Sequence, residues 1–268
     1  MIDISQTSMK KFLCIPACFT FLLIPVYSGK VTVDPFNVSP IGRVFVCKHQ
    51  SGSPPQKDES EVVKNLPLVI TESESTANDG LIALFISGDG GWYSFEQSIA
   101  DKLAEDGIPT VGLDSKKYFW KRRTPEETTA DMETALNYYC KLWKRDRFLL
   151  IGYSLGAEII PFITTRLPVE KKAGATSLLL SPEPYTDFEV HVSNMLGMGN
   201  RQNTYKVPEE IIRMKPVKTL IIYGSGEKTP LPDLIEGSNA TVVKIPGDHH
   251  YKFDIALIVK TMKDNKIF

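Results

Sequence analysis

The chain has 268 residues, a formal charge of −1, and 42% hydrophobic against 24% charged residues. That is enough apolar material for a full globular core, and the near-neutral balance argues against nucleic acid as the main partner. No internal repeat recurs, which excludes a solenoid.

Met9-Lys10-Lys11, the apolar run from Phe12 to Val26, and Val26-Tyr27-Ser28 before Gly29 read as a secretory signal peptide over residues 1–28. The run is short for a membrane-spanning helix, so an uncleaved anchor is the weaker reading. Ile15-Pro16-Ala17-Cys18 loosely resembles a lipobox, but too little apolar chain precedes Cys18. Export places the protein in an oxidising compartment. There Cys47 and Cys140 either pair or stay as buried thiols. No C-x-x-C or H-E-x-x-H spacing is present, and neither a metal nor another cofactor is expected.

Residues 29–79 are expected to add N-terminal strands and an exposed loop to a core at 80–268, forming one domain with it. Residues 31–33 and 43–47 read as short strands, 50–61 as an exposed loop, 66–71 as a third strand and 73–80 as another loop. Leu81 to Ile86 is apolar at every position, as in a strand buried on both faces. It runs into the glycine-rich turn Ser87-Gly88-Asp89-Gly90-Gly91-Trp92. Ser94 is then expected to cap a helix with Gln97 as its capping-box partner, and Phe95, Ile99 and Leu103 share the buried face.

Residues 108–113 form the next strand, and Asp114 at its end either borders a site or caps a turn. Lys116 to Arg123 reads KKYFWKRR, with cations around Tyr118, Phe119 and Trp120. Such a segment suits an anionic headgroup beside an acyl chain; the alternative is a solvated basic loop whose aromatics pack on the core. Thr124-Pro125-Glu126-Glu127 is a helix start with cap, proline and capping-box glutamate in place, and apolar spacing carries that helix to Trp143.

Arg147 to Ile160 reads RFLLIGYSLGAEII. An apolar strand runs into G-x-S-x-G at Gly152 to Gly156, and a helix follows. A serine in that sharp turn is a nucleophile elbow, with glycines where side chains would collide with neighbouring backbone. The pattern predicts an α/β-hydrolase fold: a mostly parallel central sheet, helices on both faces, and a small cap or none. Ser154 is the candidate nucleophile. The N–H of Leu155 and that of Asp89 or Gly90 are the candidate oxyanion donors. Further strands are expected at 176–180, 218–223 and 241–245, a final helix at 253–262, and a mobile flap at 181–203.

A serine hydroxyl needs a base, and the base needs an orienting acid; in this fold the order is serine, acid, histidine. Of His49, His191, His249 and His250, only the last pair follows the final strand. His250 is preferred, on the P-G-x-x-H layout before an aromatic, with His249 as the alternative. Glu227, just past the strand at 218–223, is the expected acid, with Asp233 in reserve. Trp92, Asp114, Tyr118, Trp120, Arg123 and Tyr153 are the substrate-binding candidates.

SGDGGW at Ser87–Trp92, GLDSKKYFW at Gly112–Trp120, RTPEETTADM at Arg123–Met132, GYSLGAE at Gly152–Glu158 and PGDHHY at Pro246–Tyr251 together resemble the bacterial VirJ / AcvB virulence proteins. The resemblance runs from about Leu81 to the C-terminus. It implies an exported α/β-hydrolase of the periplasm, associated with virulence and type IV secretion. The implied activity is serine-dependent hydrolysis of the aminoacyl ester of an anionic lipid such as lysyl-phosphatidylglycerol. The implied partners are that lipid, the membrane surface and secretion-system components. A general secreted carboxylesterase or thioesterase is the second reading. A non-catalytic accessory factor of a secretion system is the third.

Overall fold

The computed structural model describes residues 59–190 and 205–268. The expected signal peptide, the strands at 31–33 and 43–47, Cys47 with any pairing to Cys140, His49, and the flap residues from His191 onward lie outside them. Cys140 is half-buried and forms no disulfide among the described residues.

Seven strands form the main sheet of the described residues: β1 (Leu68–Thr71), β2 (Leu81–Ile86), β3 (Thr110–Leu113), β4 (Arg147–Tyr153), β5 (Ala175–Leu180), β8 (Lys218–Gly224) and β9 (Ala240–Ile245). Their order is β1-β3-β2-β4-β5-β8-β9. Every pairing is parallel except β1 with β3, which is antiparallel at the edge. Between β5 and β8, a two-stranded ribbon of β6 (Tyr185–Thr186) and β7 (Tyr205–Lys206) frames the start of an insertion.

The expected apolar strand at Leu81–Ile86 is buried at all six positions. Its alternate side chains serve two cores. Ile82, Leu84 and Ile86 join Met132, Leu136 and Ile160 on one face, from the helices α4 (Pro125–Trp143) and α5 (Leu155–Arg166). Leu81, Ala83 and Phe85 join Phe95, Ile99, Leu103 and Ile258 on the other, from α2 (Ser94–Glu105) and the C-terminal helix at Ile255–Asp264. Helices therefore cover both faces, as a parallel sheet requires. With the nucleophile-type turn at the end of β4, this is the α/β-hydrolase fold.

Local chemistry explains the element ends. The Thr124 hydroxyl accepts from the Glu127 N–H at 3.1 Å while the Glu127 carboxylate accepts from the Thr124 N–H at 2.9 Å, the reciprocal box that starts a helix. Three expectations shift. Residues 59–61, expected as the end of an exposed loop, instead begin a helix at Glu59–Asn65, which buries Val63 in the core. The helix at Ser94 is capped one residue earlier, by Tyr93. Glu96 supplies the reaching carboxylate, at 3.2 Å from the Tyr93 N–H, and Gln97 instead accepts from Trp92 Nε1 at 2.9 Å. Part of the basic segment is a short helix, α3 (Ser115–Tyr118), capped by Asp114.

Candidate active site

Strands β4, β5, β8 and β9 are parallel neighbours, so their C-terminal ends open on one edge of the sheet. Ser154 follows β4 at φ 50° and ψ −116°. A non-glycine residue holds such a conformation only under constraint, at a cost of about 1–3 kcal/mol. The flanking glycines supply the constraint. A Cβ on Gly152 would lie 2.3 Å from the Gly156 carbonyl oxygen, and one on Gly156 would lie 2.0 Å from that of Ile86. Only bare backbone lets α5 start this close to β4 and β2, and the half-exposed serine is held out at the sheet edge.

The Nε2 of His249 lies 3.1 Å from Ser154 Oγ, and its Nδ1 lies 2.7 Å from Glu227 Oε2. His250, the preferred base, is not in this chain of contacts. Its Nδ1 meets the Tyr153 hydroxyl at 2.8 Å, and its ring stacks on Phe253 with centroids 5.8 Å apart. The reason is the turn. The Asp248 carboxylate accepts the His250 N–H at 3.0 Å, and Tyr251, Lys252 and Phe253 then follow at φ 55°, 51° and 59°. Successive side chains of so tight a turn diverge, and only His249 faces Ser154.

Glu227 is anchored twice more. Its Oε1 accepts from the Ser181 hydroxyl and from the Gly224 N–H, each at 2.6 Å. Burial alone would push this carboxyl up. Hydrogen bonds from His249, Ser181 and Gly224 outweigh it and hold the carboxyl below the usual glutamate value. Asp233, the reserve acid, lies exposed on a separate short helix at Leu231–Leu234. Ser181 and the fully buried Tyr251 are supports that the sequence reading missed. The Tyr251 hydroxyl donates to the Ile222 carbonyl at 2.9 Å and packs against Ser181 Oγ. The available signal was positional: Ser181 follows β5 as Ser154 follows β4.

Leu155 is the first residue of α5, where N–H groups have no partner within the helix and point outward. The glycine-rich loop lies opposite. A Cβ on Gly88 would sit 3.5 Å from Ser154 Cβ, so Asp89 and Gly90 follow directly beside the serine. The loop is tied down by the buried Glu96, which accepts the Gly88 N–H at 3.4 Å as well as that of Tyr93. Burial pushes the Glu96 carboxyl up, against the pull of these N–H donors.

Beyond Gly90 the loop opens into a cleft of about 600 Å³, lined by Gly90, Gly91, Trp92, Tyr93, Asp114, Lys116, Lys117 and Trp120. Trp92, Asp114 and Trp120 of the substrate-binding candidates therefore border it. Trp92 and Asp114 also hold the fold. The Trp92 ring lies edge-on to Phe85 at 5.2 Å, and Asp114 accepts the Lys117 N–H at 3.2 Å. Tyr118, Arg123 and Tyr153 do not line the cleft. One turn of α3 aims Tyr118 into the core, where its hydroxyl donates to Asp131 at 2.6 Å. The Arg123 guanidinium stacks over the Tyr118 ring at 4.8 Å. Tyr153 is buried beneath the histidine turn, with its hydroxyl also 3.2 Å from the His249 carbonyl oxygen.

The sequence profile of the family described as bacterial virulence protein (VirJ) matches residues 80–266. The chain belongs to the VirJ family. The VirJ match begins at β2 and takes in Ser154, Glu227 and His249, so the whole contact chain lies within it. No curated protein matches the sequence. Among solved structures, Est1E from Butyrivibrio proteoclasticus is 14% identical, with a TM-score of 0.55 over 75% of this chain and 92% of its own. The enol-lactonase of Burkholderia xenovorans LB400 is 16% identical, with a TM-score of 0.57 over 76% and 96%. The proline iminopeptidase of Mycobacterium smegmatis is 11% identical, with a TM-score of 0.52 over 75% and 95%. Likeness at these identities establishes the fold alone.

Proposed function

We propose that this VirJ protein is a serine ester hydrolase working through an acyl-enzyme, with the aminoacyl ester of an anionic phospholipid as its substrate in the periplasm. The observation that carries the chemistry is the unbroken contact chain from Ser154 Oγ through His249 to Glu227. In this reading Ser154 Oγ attacks the ester carbonyl and passes its proton to His249 Nε2. Glu227 fixes the imidazole tautomer and stabilises the imidazolium. The N–H groups of Leu155 and of Asp89 or Gly90 receive the developing oxyanion. His249 then protonates the departing alcohol, and water, deprotonated by His249, releases the acid and restores Ser154. With lysyl-phosphatidylglycerol the products are lysine and phosphatidylglycerol.

The substrate class rests on the family membership, the resemblance to the VirJ / AcvB proteins, and the basic, aromatic segment beside the cleft. A role in virulence and type IV secretion is proposed on the same ground. A broader carboxylesterase reading is favoured by one observation: the similar structures include an esterase and a lactonase.

The test is lysine release from lysyl-phosphatidylglycerol by the full chain, with Ser154→Ala beside it, and fluorophosphonate labelling in parallel. Release and labelling by the wild type alone support both chemistry and substrate. Labelling of Ser154 without lysine release keeps the hydrolase and discards the lipid. No labelling and no release remove the enzyme reading in favour of an accessory factor.

A further inference from the structure

Ser154 shares its left-handed backbone with two neighbours in the site, Ser181 at φ 52° and Tyr251 at φ 55°. Such a backbone costs stability in a residue other than glycine and persists where the surroundings impose it, often at a functional site. Ser181 sits between the nucleophile and the acid. The Ser154 N–H donates to the Leu180 carbonyl at 2.9 Å, and the Ser181 N–H donates to the Ile222 carbonyl at 2.9 Å. The buried Ser181 hydroxyl donates to Glu227 Oε1 at 2.6 Å, and Tyr251 Oη lies against it. Tyr251 comes two residues after His249, so one buried node joins the serine turn, the acid and the histidine turn.

The protons give this node a direction. A carboxylate only accepts, and each hydroxyl carries one proton. The Ser181 proton therefore points at Glu227, and the Tyr251 proton is shared between Ser181 Oγ and the Ile222 carbonyl, 2.9 Å away. Burial pushes the Tyr251 hydroxyl well above its ordinary value, so it stays a donor. The node also divides the carboxylate. Oε1 takes the Ser181 hydroxyl and the Gly224 N–H, each at 2.6 Å, while Oε2 takes His249 Nδ1 at 2.7 Å. Glutamate has one more rotatable bond than aspartate, and a serine hydroxyl with a single partner can turn away from it. Tyr251 removes that second freedom.

We infer that Ser181 is a positioning residue of the catalytic chain, locked by Tyr251, and that it turns the Glu227 carboxylate so that Oε2 faces His249. This role rests on the serine-hydrolase reading and adds a member to its chain. Linked hydrogen bonds polarise one another. Loss of the Ser181 hydroxyl is therefore felt at the His249 ring, although that ring bonds only Glu227 and Ser154.

The experiment compares Ser181→Ala, Tyr251→Phe and the double variant in the full chain, with folding checked by circular dichroism. One readout is steady-state hydrolysis of 4-nitrophenyl acetate. The other is the proton NMR signal of His249 Nδ1–H, which a short bond to a carboxylate places far downfield and which needs no turnover. Ser181→Ala should lower kcat on the order of 10- to 100-fold, as loss of a donor to a charged group does. KM should stay unchanged, because His249 serves acylation and deacylation alike, and the Nδ1 signal should move upfield. Tyr251→Phe should lower kcat about 3- to 10-fold. The double variant should be no slower than Ser181→Ala, since Tyr251 acts through Ser181. Should Ser181→Ala not fold, Ser181→Cys, of similar shape but a weak donor, carries the same expectations. Unchanged kcat, an unmoved Nδ1 signal, or a double variant whose loss is the product of the two single losses overturns the proposal. Failure of the hydrolase reading shows separately: a wild type that turns over no ester, yet whose Nδ1 signal moves in Ser181→Ala, keeps the positioning of Glu227 and removes the hydrolysis.

Discussion

His249 and His250 are the same side chain on consecutive residues, and backbone alone decides which reaches Ser154. His249→Ala should lower kcat by roughly 10⁴-fold or more, as loss of a triad base does. His250→Ala should cost less than about 10-fold, since the His250 ring meets Tyr153, Phe253 and the edge of His249 but neither Ser154 nor Glu227. Steady-state kinetics on a soluble ester separates the two. Tyr153→Phe tests the support between them: its hydroxyl holds both the His249 carbonyl and the His250 ring. Its loss should lower kcat about 3- to 10-fold with KM unchanged, the worth of one hydrogen bond. The adjacent histidines were legible as a pair because they follow the last strand, but not individually. Their directions depend on the Asp248 side-chain bond and three positive-φ residues, and no pattern of residue types reports those. Glu227 was legible for the converse reason, since its position past a strand end sufficed.

The elbow is the element on which the site depends most, and its glycines leave no room for adjustment. Gly156→Ala would drive a Cβ into the Ile86 carbonyl oxygen. Loss of more than about 4 kcal/mol in urea unfolding, or failure to fold, is the expected result, because the obstacle is backbone rather than a movable side chain. The glycine-rich loop beside Ser154 depends instead on Glu96. Glu96→Ala removes acceptors for the Gly88 and Tyr93 N–H groups and should cost about 1–2 kcal/mol by the same measurement. Long apolar strands and the Thr124 helix were readable because burial on both faces and reciprocal caps leave strong local patterns. The helix at Glu59–Asn65, the ribbon of β6 and β7, and the short helix at Val207–Arg213 were not. Each is too short to show a period and is held by packing on distant residues.

At the scale of the whole molecule, Ser154 and Glu227 follow inner strands and His249 follows one sheet edge, while the opposite edge is far from all three. Ser154, Ser181 and Glu227 follow β4, β5 and β8, and His249 follows β9 beside them. The antiparallel β1 at the other end pairs only with β3 and is half-buried at all four positions. Sheet edges open before centres. Native-state hydrogen exchange should therefore show β1 amides exchanging in low denaturant while β4 and β5 exchange only with global unfolding. Activity should outlast β1 protection and be lost with that of β9, the other edge, which carries His249. Loss of activity together with β1 protection would mean that β3, and the Asp114 and Ser115 that follow it, govern the site through Ser87. Acid should reach the site by a different route. The Glu227 carboxyl is held below its usual value, so its contribution to stability is complete above about pH 4.3 and is lost as pH falls through the depressed folded value. Thermal unfolding against pH should show that acid-side slope in the wild type and a shallower one in Glu227→Gln, because the glutamine has no proton to take up.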